Sequence, residues 1–205
     1  MTRGPATDLV LVRHGETSYG EGALIDGQLN PPLSNIGREQ ARQIAERLGG
    51  DDVTALFVTP FLRTVETAWP LVERSGLATT VVPELREVHL GELEARLGSL
   101  DGRREVMREV LRQARWDVVS DAEPADVFAD RVAAGIAELA TAVGPGGRAV
   151  AFVHGGVIAE ACRQATGSRP LAFVPHLRNA SITRLHYRSD ELSLTVFNDI
   201  AHLAS

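Results

Sequence analysis

The sequence predicts a three-layer α/β/α sandwich built around a mostly parallel sheet. Strand-like runs alternate with helix-like stretches along the chain, the pattern of successive βαβ units. Three of the strand-like runs, the first, second and fourth, have continuously apolar centres instead of alternating, which marks strands buried on both faces. The 205 residues suit one domain and suffice to bury a sizeable core. No repeat or low-complexity linker divides them, so a single domain over 1–205 is expected.

The first strand is expected at Asp8–Arg13, centred on Leu9-Val10-Leu11-Val12. A loop rich in Gly, Asn and Pro runs from Gly15 to Pro32. Ser34 is the expected N-cap of a helix over Gly37–Leu48, with Ala41, Ile44, Ala45 and Leu48 on one face and Gly49-Gly50 as its end. Ala55–Val58 reads as the second strand. Pro60–Ser75 reads as a helix whose Leu62, Val65, Trp69 and Val72 recur at helical spacing. Gly76 stops it, and Pro70 predicts a kink or an early end. Thr79–Val82 is the third strand. Arg103–Trp116 is expected to be helical between loops, its Arg and Glu residues forming ion pairs on an exposed face. A long helix over Ala125–Val143 ends at Gly144-Pro145-Gly146-Gly147. Arg148–Val153 is the fourth strand and Gly156–Thr166 a helix. Ser181–Tyr187 and Leu192–Phe197 read as a strand pair turning at Ser189-Asp190.

Composition narrows the partners. Basic residues number 21 against 27 acidic, and the net charge of −6 argues against nucleic acid or an anionic membrane. A small anionic substrate in a locally basic cleft stays open. No apolar run has the length of a membrane span, and the first residues do not read as a secretory signal, so the expected location is cytoplasmic. A lone cysteine, Cys162, excludes an internal disulfide and a cysteine-rich zinc site. Its apolar helical surroundings read as a small buried side chain. All 21 basic residues are arginine. Without lysine there is no phosphate-loop lysine, no Schiff base and no pyridoxal phosphate site. Bound phosphate has to be held by arginine, histidine, hydroxyls or backbone amides.

In such a sheet the ligand site lies at the carboxyl ends of the strands. Four segments should therefore converge: Arg13-His14-Gly15, Thr59 to Arg63, Glu87, and His154-Gly155-Gly156. His14 and His154 each end an apolar strand and each precede glycine, which permits a sharp turn and close ligand approach. A lone strand-end histidine is more often structural; two such junctions in one chain are a stronger signal. Arg13 and Arg63 have the bidentate, always-charged donors that phosphate needs. A carboxyl group at Glu87, partly buried in an anionic site, would have a raised pKa and could protonate a leaving alkoxide. No carboxylate cluster has metal-ligand spacing, so neither a metal nor a cofactor is expected.

Several motifs match one family in order. Leu11-Val12-Arg13-His14-Gly15-Glu16-Thr17 resembles the signature of the histidine phosphatase superfamily, which includes the phosphoglycerate mutases. Gly27 through Asn30, Pro32-Leu33-Ser34, Gly37 and Gln40-Ala41 resemble a second block of that family. Thr59-Pro60-Phe61-Leu62-Arg63-Thr64 with Glu66-Thr67-Ala68 resembles a third. Leu85-Arg86-Glu87 with Gly91 and Glu94 is similar to its acid-bearing segment, Val153-His154-Gly155-Gly156 to its second-histidine motif, and Asn179-Ala180-Ser181 to its late polar motif. The resemblance implies a phosphoglycerate mutase-like fold and a metal-independent reaction. It implies that His14 attacks phosphorus to form phosphohistidine. Arg13, Arg63 and His154 would bind the phosphoryl oxygens, with Thr17, Gly155 and Asn179 as further phosphate contacts or positioning groups. Glu87 would protonate the leaving group and then activate water. A homodimer is a family-level expectation. Gly20 and Leu24 stand where the family usually has asparagine and arginine, so the loop from Ser18 to Asp26 should contact substrate differently. His89 and Ala95 are further departures, and neither removes a catalytic group. His176, His186 and His202 read as structural or surface residues.

Three functions compete. A phosphatase hands the phosphoryl group from histidine to water, a mutase to a second hydroxyl, and an inactive member only binds phosphorylated ligands. Mutases of the family carry an Arg-His-Tyr-Gly-like stretch and a shielding insertion after the glutamate. Here Glu87 is followed by Val88-His89-Leu90-Gly91 and the chain is short, which favours the phosphatase. All five groups of the constellation are present, which ranks the inactive binder last. The segment at about 90–124 is the expected cap over a small phosphorylated substrate.

Overall fold

The computed structural model describes residues 4–20, 29–91, 108–110, 112–113, 115, 117–118 and 120–203. Six strands form one sheet: β1 Thr7–Arg13, β2 Ala55–Val58, β3 Thr79–Val81, β4 Arg148–Val153, β5 Ile182–Arg188 and β6 Glu191–Asp199. Their order is β3-β2-β4-β1-β5-β6. The first four are mutually parallel, and β5 and β6 add an antiparallel hairpin to the β1 edge. Its turn residues Ser189 and Asp190 both have positive φ (49° and 64°), the geometry of the two-residue turn that follows the strands' twist.

Among the described residues, helices α1 Asn35–Leu48, α2 Leu62–Ser75, α3 Ala125–Val143 and α4 Gly155–Thr166 connect and cover the sheet. Successive strand residues point to opposite faces, and both faces are packed. Leu9, Leu11, Ala149 and Ala151 meet Val132, Ile136 and Leu139 of α3 and Val157, Ile158 and Ala161 of α4. Val10, Val12, Val150 and Phe152 meet Ile44 and Leu48 of α1 and Ala68 and Leu71 of α2. This two-sided burial is why Leu9–Val12 of β1 and Ala149–Val153 of β4 are apolar without alternation. Cys162 is buried in the first of these cores, which pushes its thiol up to about 12. Among the described residues no helix is long and apolar enough to cross a membrane.

Ser34 caps α1 as expected, accepting from the Gly37 amide. At α2 the helix forms as expected, but its apolar spacing does not mark the buried face. Leu62, Val65 and Trp69 are exposed (40, 40 and 57%), and Val72 is partly buried against the core. The buried face is Arg63, Thr64, Thr67, Ala68 and Leu71. The first turns of α2 lie beside the carboxyl ends of the strands, so their polar face turns inward to meet polar partners. Nor does Pro70 end the helix, which continues to Ser75 and stops at Gly76 in the left-handed conformation (φ 71°). Of the helix expected over 103–116, residues 108–110 and 112–113 are helical, and the remainder lies largely outside the described residues. So does most of the expected cap, whose base is closed by an antiparallel bridge between Leu90 and Ala122.

Candidate active site

The parallel register of β1 and β4 pairs Arg13 with Val153, so His14 and His154 leave the sheet side by side. The His14 amide bonds the Val153 carbonyl, and the two rings lie 5.5 Å apart. This juxtaposition needs β4 to insert between β1 and β2. The turn after His14 is made tight by glycine on both sides. A Cβ on Gly15 would come within 2.7 Å of Gly37 O, and one on Gly37 would overlap Glu16 O. The N-terminus of α1 thus packs directly on the His14 loop.

His14 Nδ1 lies 2.8 Å from Gly15 O, an acceptor, so Nδ1 carries the proton and the lone pair sits on Nε2. Burial, then the charges of Arg13 and Arg63, hold this imidazole well below its ordinary value of 6.5 and therefore neutral near pH 7. Asn179 donates from Nδ2 to His14 O (3.2 Å) and Gly15 O (3.4 Å), bracing the same loop. Thr67 accepts from the Gly15 amide and donates to Arg63 O.

Arg63, from the first turn of α2, is fully buried, donates to Leu29 O and stacks on Phe61 at 4.4 Å. Arg13 donates to Leu177 O, while its Nε is buried without a protein partner. Burial lowers its pKa against the raising effect of Glu87, and the guanidinium remains charged. His154 is buried and edge-on to Phe61. Its Nε2 meets Thr59 Oγ1 at 2.8 Å, and its Nδ1 has no protein partner. Burial, then Arg63, His14 and Arg13, keep it neutral as well.

Glu87 reaches the site by an indirect path. After β3 the chain makes a 3-10 turn over Pro83–Leu85 before the acid. Its Oε1 accepts from the Val88 amide (3.0 Å) and Oε2 from the Gly156 amide (3.2 Å), at the start of α4. Burial raises its pKa and outweighs the lowering by these amides and by Arg63 and Arg13. Gly155 opens α4 against the Arg13 guanidinium. Thr17 is buried beside Leu33, its hydroxyl without a protein partner. The five principal residues and Asn179 thus gather at one end of the sheet. His176 and His186 are exposed, and His202 bonds Ala180 O.

The family model of the histidine phosphatase superfamily (branch 1) matches residues 9–200. The chain belongs to the histidine phosphatase superfamily. It is similar to a metal-independent phosphoserine phosphatase of Arabidopsis thaliana, at 28% identity over 97% of this chain and 84% of the relative. It is 33% identical to a glucosyl-3-phosphoglycerate phosphatase of Mycobacterium tuberculosis, with 98% of each chain covered. Its fold matches the crystal structure of phosphoglycerate mutase from Bacillus anthracis with a TM-score of 0.78, at 21% identity over 98% of this chain and 97% of that one.

Two sets of residues in this histidine phosphatase escape a reading of the sequence alone. Thr59 and Thr64 share a hydrogen bond under His154, and Thr67 separately accepts from the Gly15 amide in the His14 loop. Their signal was a polar face on a helix whose apolar residues lie elsewhere. Arg131 of α3 contacts the segment that bears Glu87. An arginine among Phe128, Val132 and Gly135, all buried on one helix face, was the clue.

Proposed function

We propose that this protein hydrolyses phosphate monoesters without a metal, through a phosphohistidine on His14. The observation that carries the reading is the Nδ1–H bond from His14 to Gly15 O, which leaves the Nε2 lone pair on a neutral, buried imidazole between two arginines. Nε2 attacks phosphorus and the ester oxygen leaves. Arg13, Arg63 and His154 hold the phosphoryl oxygens and stabilise the charge that develops on them. Thr17 and the amide of Gly155 add hydrogen bonds, and Asn179 holds the nucleophile's loop. Glu87 delivers its proton to the departing alkoxide, then removes one from the water that attacks phosphohistidine. His14 returns to its starting state as phosphate is released.

Hydrolysis is preferred to mutase chemistry because Val88-His89-Leu90-Gly91 follows the acid in place of the mutase stretch. The relatives named as phosphoserine and glucosyl-3-phosphoglycerate phosphatases support the same direction and suggest small phosphorylated metabolites as substrates. The net charge of −6 argues against nucleic acid as a partner and leaves a small anionic substrate in a locally basic cleft open; a cytoplasmic location is part of this reading. The test is a panel of phosphate esters incubated with chelator, scored for both phosphate release and isomerisation. We expect release that persists in chelator, acid-labile labelling of the protein, and loss of both in His14→Ala. Activity that vanishes in chelator or survives His14→Ala would refute the mechanism. Conversion of 3-phosphoglycerate to its 2-isomer with little phosphate release would favour the mutase.

A further inference from the structure

The segment that delivers Glu87 belongs to no helix or sheet ladder beyond its short 3-10 turn. Its carbonyls need partners if it is to hold one conformation. Arg131, 44 to 47 residues away on α3, provides them. Nη1 donates to Glu84 O (2.7 Å) and Arg86 O (2.7 Å), and Nη2 to Glu87 O (3.2 Å). The other edge of the guanidinium grips Glu123: Nε to Oε1 at 2.6 Å and Nη2 to Oε2 at 2.7 Å. Five bonds match the five donors of an arginine. The Phe128 ring lies under the guanidinium at 4.7 Å. Glu123 also bonds the far side of the acid, its amide donating to His89 O (2.9 Å). One turn beyond Arg131, Gly135 lets α3 come close, since a Cβ there would lie 2.6 Å from Leu85 Cδ2.

We propose that Arg131, anchored by Glu123, is a positioning residue for Glu87. It fixes the backbone on which the acid stands, so that the carboxyl stays against the Val88 and Gly156 amides at the site. Because Glu123 follows the Leu90–Ala122 bridge directly, the same pair ties the base of the 90–124 segment to the acid. This inference rests on the assignment of Glu87 as proton donor.

A leaving-group comparison tests it. Nitrophenolate departs without a proton, whereas an alkoxide needs one. kcat/KM, which reports transfer to His14 alone, is measured for 4-nitrophenyl phosphate and β-glycerophosphate. Glu87→Gln should lose at least about 100-fold on β-glycerophosphate and far less on the aryl ester, in the range of general acid catalysis. Arg131→Met should show the same pattern more weakly, roughly 10- to 100-fold against under about 3-fold. Because that variant strands a buried Glu123, the double variant Glu123→Leu, Arg131→Met is measured beside it, with thermal melting to establish folding. Equal losses on both esters, or no loss in the folded double variant, would overturn the positioning role. If Glu87→Gln itself shows no preference between the esters, the assignment of the acid fails, and the role of Arg131 with it.

Discussion

One hydrogen bond, from His14 Nδ1 to Gly15 O, fixes the tautomer of the proposed nucleophile. Burial, and then the charges of two nearby arginines, keep that imidazole from taking a second proton. Glu87 is shifted the other way, since burial favours its neutral form. The sign of the pH dependence follows. The proposed mechanism needs neutral His14 and protonated Glu87. Activity should rise as pH climbs through the lowered His14 pKa and fall as pH passes the raised Glu87 pKa. kcat/KM for an alkyl ester is therefore expected to be bell-shaped, with its acid limb below 6.5 and its alkaline limb above 4.5. Glu87→Gln should remove the alkaline limb, and a limb that persists in that variant would assign it to another group. The two histidines of the site were legible from strand ends and glycines, and Glu87 from its closeness to the third strand. The shifts were not, because their first cause is burial, which the packing of segments distant in sequence creates.

At the scale of elements, helix starts do much of the work. α4 begins where its Gly156 amide meets Glu87, and a Cβ at that glycine would come within 2.5 Å of Glu87 Oε1. Gly156→Ala should therefore displace the acid while leaving α4 itself sound, because alanine is the better helix former by about 1 kcal/mol. We expect a fall of roughly 100-fold in kcat/KM for an alkyl ester, the scale of losing a general acid, with a melting temperature within a few degrees of the parent. Unchanged turnover would show that the carboxyl need not approach α4 so closely. α2 shows where periodicity misleads. Leu62, Val65 and Trp69 sit at core spacing yet face solvent, while Arg63, Thr64 and Thr67 are buried. Hydrophobic spacing finds a helix but cannot tell which face meets a polar site. The β4-to-α4 junction and the hairpin turn were legible because their signals, an apolar strand before glycine and Ser189-Asp190, are local.

Across the whole molecule, chemistry and much of the electrostatic bracing lie at opposite edges of the sheet. Asp8, Asp51, Arg148 and Arg184 form a partly buried network at the start of β1 and β4. Six residue steps along β1 separate Asp8 from His14, which lies about 20 Å away. Asp51→Ala should cost roughly 1–3 kcal/mol in urea unfolding, through lost charged hydrogen bonds, and change kcat/KM by less than about twofold. A large loss of activity in the folded variant would show that the two edges are coupled. The sequence by itself determined the strands, the helices that join them and the residues at the strand ends, because apolar runs and turn chemistry act over a few neighbouring residues. Only the tertiary structure decided that β4 lies between β1 and β2, which brings His14 and His154 to 5.5 Å. It alone decided which face of α2 is buried and that Arg131 holds the backbone of Glu87. Those outcomes depend on packing between segments tens of residues apart, where the need to satisfy buried carbonyls and charges outweighs local pattern.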